Sequence, residues 1–305
     1  MTGRIAILFW FYRDLPLCRN RLELLRRENP GTPIFGLFGG DPRDADRFGV
    51  GLGSRLDDFY VFDRAVTSKW KWLHGDLMLA AWFEDRGREL EWDHVFVAQW
   101  DMLVLQSLTE LVRPLSPDEV LLSGVLPVAA VEPGWVWSRG GHEQEYRDFL
   151  AEMGSQFGAV EPMSCVFVVA CLPRKLLAAY SRLDRAETGY VEYRLPTLAS
   201  AVGLRLVDDE RFATWRPADA SAGRPTRRQR FINGSRRPIL LATVLVELAR
   251  RDGARVFHPY HGLFPMNARW ATESPVWGAR MLGRSVAAAV RARVGRRRRP
   301  APTPS

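Results

Sequence analysis

The first apolar run of the chain constrains its fold more than any other segment. Residues 5 to 11 read IAILFWF, without a polar residue. A strand that is apolar on both sides must be covered on both faces, as in parallel sheets flanked by helices. Residues 15–27 follow with helical spacing and end at Asn29-Pro30-Gly31, and residues 33–38 read as a second buried strand. The chain therefore opens as a β-α-β unit.

The rest of the sequence repeats this alternation. Further strands are predicted at residues 59–62, 95–98, 119–126, 164–172, 204–207 and 255–258. Helices are predicted at residues 70–86, 143–153, 174–183, 193–202 and 239–251. Residues 39–58 and 216–238, rich in Gly, Arg, Asp or Pro, are predicted to be loops. We expect an α/β protein with a mostly parallel central sheet and helices on both faces.

The positive charge of the chain lies at its end. The 305 residues include 43 Lys or Arg and 35 Asp or Glu, and eight of the Arg lie between Arg280 and Arg299. Without those eight, basic and acidic residues balance, which argues against a broad nucleic-acid-binding face. We expect a main domain at residues 1–271 and a basic tail at residues 272–305, either partly helical or disordered. Such a tail is a candidate for binding an anionic membrane surface.

The cysteines and the apolar runs bear on the location of the protein. Cys18, Cys165 and Cys171 are odd in number and widely spaced, so they form neither a disulfide framework nor a zinc motif. The run at residues 5–11 is too short to span a membrane and lacks a small-residue cleavage site after it. We expect a cytoplasmic protein, peripheral on the inner face of the membrane if the tail binds there.

A polar interruption divides one apolar segment. Residues 91 to 108 read EWDHVFVAQWDMLVLQSL, in which Gln99, Trp100 and Asp101 separate two apolar runs. Ligands of open parallel sheets bind beyond the carboxyl ends of the strands, where Asp101 should lie. On an extended strand Gln99 and Asp101 would point the same way, as acceptors for a ribose hydroxyl and a divalent cation. The alternative is a carboxylate that caps a loop or pairs with an Arg.

The order of elements resembles the GT-A class of nucleotide-sugar glycosyltransferases. In that class an Asp-x-Asp motif follows a mid-chain strand, an acidic catalytic residue follows in the second half, and a late His often completes the metal site. The matching segments are Gln99-Trp100-Asp101, Tyr190-Val191-Glu192-Tyr193 and residues 256–261, VFHPYH, and the resemblance covers roughly residues 4–262. It implies a single GT-A-like domain with a Rossmann-like nucleotide-binding half. One departure is that Gln99 replaces the first Asp of the motif.

The resemblance assigns roles to residues of each segment. It implies that Asp101 and His258 bind Mn²⁺ or Mg²⁺, with His261 as the alternative to His258. It also implies that Glu192 is the general base of an inverting transfer, with Glu187 as the fallback. A carboxylate at a helix start can equally serve the helix dipole, so that role for Glu192 stays open.

Further residues are implied to contact the nucleotide. Asp57 and Asp58 would meet the base or ribose, and Lys69 would approach the base or diphosphate, together with Gln99 and Asp101. A solvated turn and a solvated helix start are the alternatives for Asp57, Asp58 and Lys69. The donor would be a nucleoside-diphosphate sugar, and the acceptor a glycan, a lipid-linked molecule or a small molecule.

Other functions remain open on the sequence. Residues 49–53, GVGLG, lack the third glycine of a dinucleotide-binding motif and follow the second strand, and no phosphate-binding G-x-x-x-x-G-K-[ST] motif occurs. A nucleotidyltransferase on a similar sheet is an alternative, although the segment FYRDLP after the first strand contains no glycine. A non-catalytic module that binds glycan or anionic lipid is another.

Overall fold

A computed structural model describes residues 4–112, 114–215, 225–233 and 239–265. It contains eleven strands within these residues. They are β1 (Ile5–Phe11), β2 (Ile34–Phe38), β3 (Asp58–Val61), β4 (His94–Gln99), β5 (Leu103–Val104), β6 (Glu119–Leu122), β7 (Leu126–Pro127), β8 (Met163–Ser164), β9 (Ala170–Pro173), β10 (Arg205–Val207) and β11 (Val256–Phe257).

Ten α-helices lie within the same residues. They are α1 (Leu15–Glu28), α2 (Ala45–Leu52), α3 (Ser68–Leu73), α4 (Gly75–Trp82), α5 (Leu108–Leu111), α6 (Val128–Val131), α7 (Glu143–Phe157), α8 (Arg174–Tyr180), α9 (Val191–Ala201) and α10 (Leu241–Leu248). Asp14 caps the start of α1, where its side chain accepts a hydrogen bond from Leu17 N.

Seven strands form the central sheet, in the order β10-β6-β9-β4-β1-β2-β3. Strands β4, β1, β2 and β3 pair in parallel, as do β10 and β6. β9 is antiparallel to both of its neighbours, β4 and β6. Among the described residues β9 is thus the one reversed strand of this sheet, and the predicted mostly parallel α/β architecture is confirmed.

Helices cover both faces of the sheet. On one face α1 and α2 pack against alternate residues of β1, including Ile7 and Phe9. On the other face α4, α8 and α9 pack against the residues between them, including Ala6 and Leu8. All four of these β1 side chains are fully buried. The unbroken apolar run of β1 is explained by this double cover.

A small second sheet lies beside the first. β5 pairs antiparallel with β11, and Leu103 and Phe257 of this pair pack against α10 in a separate buried cluster. The apolar residues after Asp101 therefore re-enter a core, as the sequence suggested. The pairing also brings the segment after β11 back to the end of β4.

Several predicted boundaries are wrong, and each error involves a local turn. The predicted loop at 39–58 contains α2, the predicted helix at 70–86 is divided at His74 into α3 and α4, and its last turn, Phe83–Gly87, is a π-helix. The single strands predicted at 119–126 and 164–172 are each two short strands, which join different sheets. Apolar runs do not reveal such a change of sheet, because both parts are buried.

The predicted tail at 272–305 lies outside the described residues. Within the residues that the structure describes, no helix combines the length and apolar character that a membrane span requires.

Candidate functional site

The carboxyl ends of the central parallel strands form one edge of the sheet. Backbone hydrogen bonds continue past the strand ends, from Gly39 N to Phe11 O (2.8 Å) and from Trp100 N to Trp10 O (2.9 Å). The ends of β1, β2 and β4 therefore lie level. This edge is where ligands of open α/β sheets bind.

Asp101 lies at this edge, in a turn that follows β4. The turn is closed by a hydrogen bond from Met102 N to Gln99 O (2.9 Å), and Asp101 O accepts one from Tyr260 N (2.8 Å). Because β11 pairs with β5, His258 arrives directly beside the carboxylate. His258 Nε2 lies 3.4 Å from Asp101 Oδ1. The structure thus brings together the two predicted metal ligands.

Hydrogen bonding constrains the protonation of His258. Its Nδ1 lies 3.0 Å from the carbonyl oxygen of Asn233, which can only accept, so Nδ1 carries a proton. In the neutral ring Nε2 then directs a lone pair towards the carboxylate. Asp101 Oδ1 is buried, and His258 Nε2 at 3.4 Å is its ion-pair partner when the ring is protonated. Two facing acceptors require either a proton on Nε2 or a cation between them.

The environment of Asp101 favours its ionised form. Burial opposes ionisation, but the nearby imidazoles of His258 and then His261 outweigh it, and they lower the pKa of Asp101 below its ordinary value. The Asp101 side chain is 14% exposed. A carboxylate held ionised with little solvent contact is a good ligand for a hard cation.

The pair fits two ligands of a small divalent cation. Ligands at about 2.1 Å and at right angles lie about 3.0 Å apart, close to the observed separation. A metal-bound imidazole commonly donates its second N–H to a backbone carbonyl, as His258 does to Asn233. Among the described residues no group of three or more His, Cys, Asp or Glu could hold a metal. Substrate phosphates and water would complete the coordination.

The amide nitrogen of Gln99 is engaged by the backbone at the edge of the sheet. Its side-chain amide donates to the carbonyl oxygen of Phe167 (3.0 Å). The alternation of an extended strand does not continue from Gln99 to Asp101, because the chain turns between them. Gln99 instead fastens the segment of residues 165–168 to the edge of the sheet.

Glu192 begins α9 on the other side of that segment. Its carbonyl oxygen accepts a hydrogen bond from Cys165 N (2.8 Å), and its carboxylate accepts one from Trp137 Nε1. The segment of residues 165–168 therefore connects Gln99 with Glu192. The fallback, Glu187, is 61% exposed and pairs with Arg64 at 3.5 Å. Of the two acids, Glu192 is the one whose backbone and side chain are both hydrogen-bonded to residues near the carboxyl edge of the sheet.

A buried charge network fixes the start of α9. Arg194 donates from Nε to Asp76 Oδ2 (2.8 Å) and from Nη2 to Asp76 Oδ1 (2.5 Å). Asp76 is fully buried and Arg194 is 1% exposed. Tyr180 donates to the same carboxylate at 2.7 Å, and Arg194 also donates to Gly189 O. The network ties α4, α8 and the loop before α9 together, directly behind Glu192.

His74 lies against this network. Burial, followed by the Arg194 charge, lowers the pKa of His74 to about 4. Its ring is therefore neutral near pH 7, and Nδ1 faces the Arg194 guanidinium at 3.3 Å. Arg194 and His74 were not identified from the sequence, which offers no signal of which charged residues are buried together.

Asp57 and Asp58 are not brought to this edge. Asp57 accepts from Ile34 N (2.7 Å), at the amino end of β2, and pairs with Arg26 at 2.7 Å. Asp58 begins β3 and lies 3.3 Å from Arg86. Parallel strands place these positions away from the carboxyl ends. We therefore leave both residues out of the proposed site.

Lys69 and Lys71 occupy different positions on α3. Lys69 is exposed, near the start of the helix. Lys71 Nζ donates to the carbonyl oxygens of Gly39 (2.9 Å) and Gly40 (3.0 Å), at the end of β2. The lysine that contacts the edge is thus Lys71, which the sequence analysis did not select.

Aromatic and cationic groups flank Asp101. The Arg13 guanidinium lies 4.6 Å from the ring centroid of Trp100 and 5.2 Å from that of Tyr12. The His261 ring lies 5.5 Å from Trp100 on its other side. Both Arg13 and His261 are exposed. The edge therefore offers positive charge to an anionic ligand close to Asp101.

Comparisons with known proteins give only remote likenesses. No protein-family model and no curated protein matches the chain. The galactosyltransferase LgtC in complex with donor and acceptor sugar analogues is similar with 14% identity and a TM-score of 0.41, over 92% of this chain and 95% of that one. The bifunctional glycosyltransferase WbbM is similar with 12% identity and a TM-score of 0.40, over 86% of this chain and 46% of that one.

Proposed function

We propose that the protein is a glycosyltransferase that moves a sugar from a nucleoside-diphosphate sugar to a hydroxyl-bearing acceptor. The observation that carries the proposal is the Asp101–His258 pair at the carboxyl edge of the sheet. His258 Nε2 and Asp101 Oδ1 are 3.4 Å apart, and His258 Nδ1 is already committed to a backbone carbonyl. This spacing and this backbone hydrogen bond support a role of the pair in binding a cation and its diphosphate.

Asp101 and His258 would hold the cation, Mn²⁺ or Mg²⁺. When bound there, a divalent cation would neutralise charge that develops on the departing diphosphate. Arg13 lies exposed beside Trp100 and is placed to contact the same phosphates. The proposed diphosphate position is thus between the end of β1 and the turn after β4.

Glu192 would act as the general base in a transfer with inversion. The acceptor hydroxyl would attack the anomeric carbon and give its proton to the Glu192 carboxylate. The bond between the anomeric carbon and the diphosphate oxygen would break, and the nucleoside diphosphate would leave with the bonding electrons. The hydrogen bond from Trp137 orients the carboxylate for this role.

Two further assignments remain proposals. The acceptor is a glycan, a lipid-linked molecule or a small molecule. A cytoplasmic location is proposed from the cysteine pattern, and binding of the basic tail at residues 272–305 to an anionic membrane is proposed from the charge distribution. The Lys71 ammonium group donates to backbone carbonyl oxygens at the end of β2. We therefore assign it a structural role at the edge of the sheet and not a contact with the diphosphate.

Thermal unfolding with nucleoside diphosphates tests the proposal. We expect one of UDP, GDP, CDP, ADP or TDP to raise the Tm only with Mn²⁺ or Mg²⁺ present, since a ligand at 100 times its Kd stabilises by about 2.7 kcal/mol. Asp101→Asn should abolish the metal-dependent shift. Its metal-free Tm should fall, because the carboxylate loses the charge interaction with His258 that lowers the pKa of Asp101. The metal-dependent shift is therefore measured against the metal-free Tm of the same variant.

The control and the product assay complete the test. Asp57→Asn, at the opposite edge, should keep the metal-dependent shift. Mass spectrometry of the corresponding nucleotide sugars should then show release of the nucleoside diphosphate. A shift that persists in Asp101→Asn would remove the metal assignment, and the absence of a shift with all five nucleotides would contradict the transferase proposal.

A further inference from the structure

Trp137, which donates a hydrogen bond to the carboxylate of Glu192, packs against three further aromatic side chains. We call Trp72, Trp137, His142 and Tyr190 the aromatic platform. The ring centroids of Trp137 lie 5.3 Å from Trp72, 5.0 Å from His142 and 5.4 Å from Tyr190. His142 Nδ1 and the Tyr190 hydroxyl are 3.0 Å apart. Because Trp137 also donates to Glu192, the platform and the proposed base form one continuous site.

The outer part of the platform is exposed. Trp72 is 63% exposed and Val136 is 58% exposed. Aromatic side chains bury about 150–250 Å² each when covered, so the exposed Trp72 ring offers apolar surface to a ligand. An open depression of about 480 Å³, bordered by Val136, Arg139 and His142, adjoins the platform. His142 is the platform residue that also lines this depression.

The chemistry of the platform suits a sugar ring. A pyranose has an apolar C–H face, which packs on aromatic rings, and a rim of hydroxyl groups, which needs donors and acceptors. The platform provides ring surface on Trp72 and Trp137, and polar groups on Tyr190, His142 and Glu192. We propose that it binds a pyranose ring of the acceptor and presents one hydroxyl to Glu192. This inference rests on the transferase function proposed above.

The charge at the platform distinguishes a sugar from a phosphate-bearing ligand. The Glu192 carboxylate would repel a phosphate bound against Trp137, whereas Arg139, which borders the adjoining depression, would attract an anionic group there. A neutral, hydroxyl-rich ligand has no such penalty. A free glycan and the sugar head of a lipid-linked acceptor share the ring that the platform contacts, so both are accepted sources.

Saturation-transfer NMR with methyl glycosides tests the inference. The probes are the methyl α- and β-pyranosides of glucose, galactose, mannose and N-acetylglucosamine, offered to the full chain with the stabilising nucleoside diphosphate and metal. We expect ring C–H signals from at least one probe. Trp72→Ala should weaken its binding at least about fivefold, which corresponds to about 1 kcal/mol. Trp72→Phe should recover most of the affinity, because it restores an aromatic face.

Controls separate this inference from the transferase proposal. Val246→Ala changes another exposed apolar residue, 60% exposed on α10, and should leave glycoside binding unchanged. The nucleotide- and metal-dependent rise in Tm reports on the donor site, so a Trp72→Ala protein that keeps it is folded and has lost only the platform.

Each remaining outcome decides the proposal. If none of the eight glycosides binds while the nucleotide shift is present, the platform is not a sugar site and the donor assignment stands. If the glycosides bind without any nucleotide shift, the platform is supported as a sugar-binding site and the transferase proposal fails. If the Trp emission of the chain responds to phosphatidylglycerol vesicles and not to glycosides, and the response is lost in Trp72→Phe, the platform contacts a membrane and the inference is overturned. To distinguish a lipid-linked acceptor from a free glycan, the affinity for an alkyl glycoside of the sugar that binds best is compared with the affinity for its methyl glycoside.

Discussion

The buried Asp76–Arg194 pair gives the sharpest prediction of stability. Arg194→Met removes the guanidinium and leaves an ionised carboxylate that is fully buried, with Tyr180 as its remaining hydrogen-bond donor among the contacts described. Breaking such a pair on one side costs about 3–5 kcal/mol, since the remaining charge stays in a medium of low polarity. The carbonyl oxygens of Thr188 and Gly189 also lose a donor. We expect a loss within or above that range.

A double-mutant cycle separates the charge from the packing. Asp76→Asn keeps an acceptor for Tyr180 and removes the negative charge, so Asp76→Asn/Arg194→Met contains no unpaired charge. We expect the double variant to be more stable than Arg194→Met alone by about 2 kcal/mol or more. Urea unfolding followed by far-ultraviolet circular dichroism gives each value.

A control variant and two contradicting outcomes complete this test. Lys175→Met, which breaks an exposed ion pair with Asp118, is the matched control and should cost less than about 1 kcal/mol. A loss below 1 kcal/mol in Arg194→Met would refute the reasoning, because it would mean that the carboxylate gains solvent or a proton at little cost. A double variant no more stable than Arg194→Met would show that packing, and not charge, dominates.

Two further predictions concern neighbouring residues. His74 has a folded pKa of about 4 against an ordinary value of 6.5, so it contributes stability that is fully present above pH 6.5 and is lost as the pH falls towards 4. Between pH 7 and pH 5 the wild type should lose roughly 2 kcal/mol more than His74→Asn, measured by urea unfolding, and equal losses would contradict a neutral buried ring. Lys71→Met should cost about 1–2 kcal/mol through the lost bonds to Gly39 and Gly40, whereas Lys69→Met should stay within about 0.5 kcal/mol. Similar losses for both lysines, from urea midpoints, would contradict the assigned role of Lys71.

The central sheet was predictable from the sequence because its strands are long and apolar. β1, β2 and β4 are covered on both faces, and their uninterrupted apolar sequences reflect this burial. Alternation with helices then indicated parallel pairing. The reversed direction of β9 was not predictable, since a buried strand has the same composition in either direction.

The site was predictable in part, for a similar reason. Asp101 stands out because it interrupts an apolar segment, and the late His258 was found near it as expected. Asp57 and Asp58 have the same residue type but lie at the amino end of β3. Which end of a strand a residue occupies depends on strand boundaries, and a shift of a few residues in a predicted boundary changes the answer. The buried partnership of Asp76 with Arg194 crosses much of the chain, and no local pattern reports it.

The pairing of β5 with β11 has a consequence for how the protein becomes active. Asp101 and His258 are remote in sequence, and the antiparallel strands beside them are only two residues long each. The central sheet does not include β11, so a nascent chain could assemble the sheet while the proposed cation site is still half made. Binding competence would then be the last property acquired during synthesis. A chain that ends before residue 255 should retain sheet structure and lack one of the two ligands.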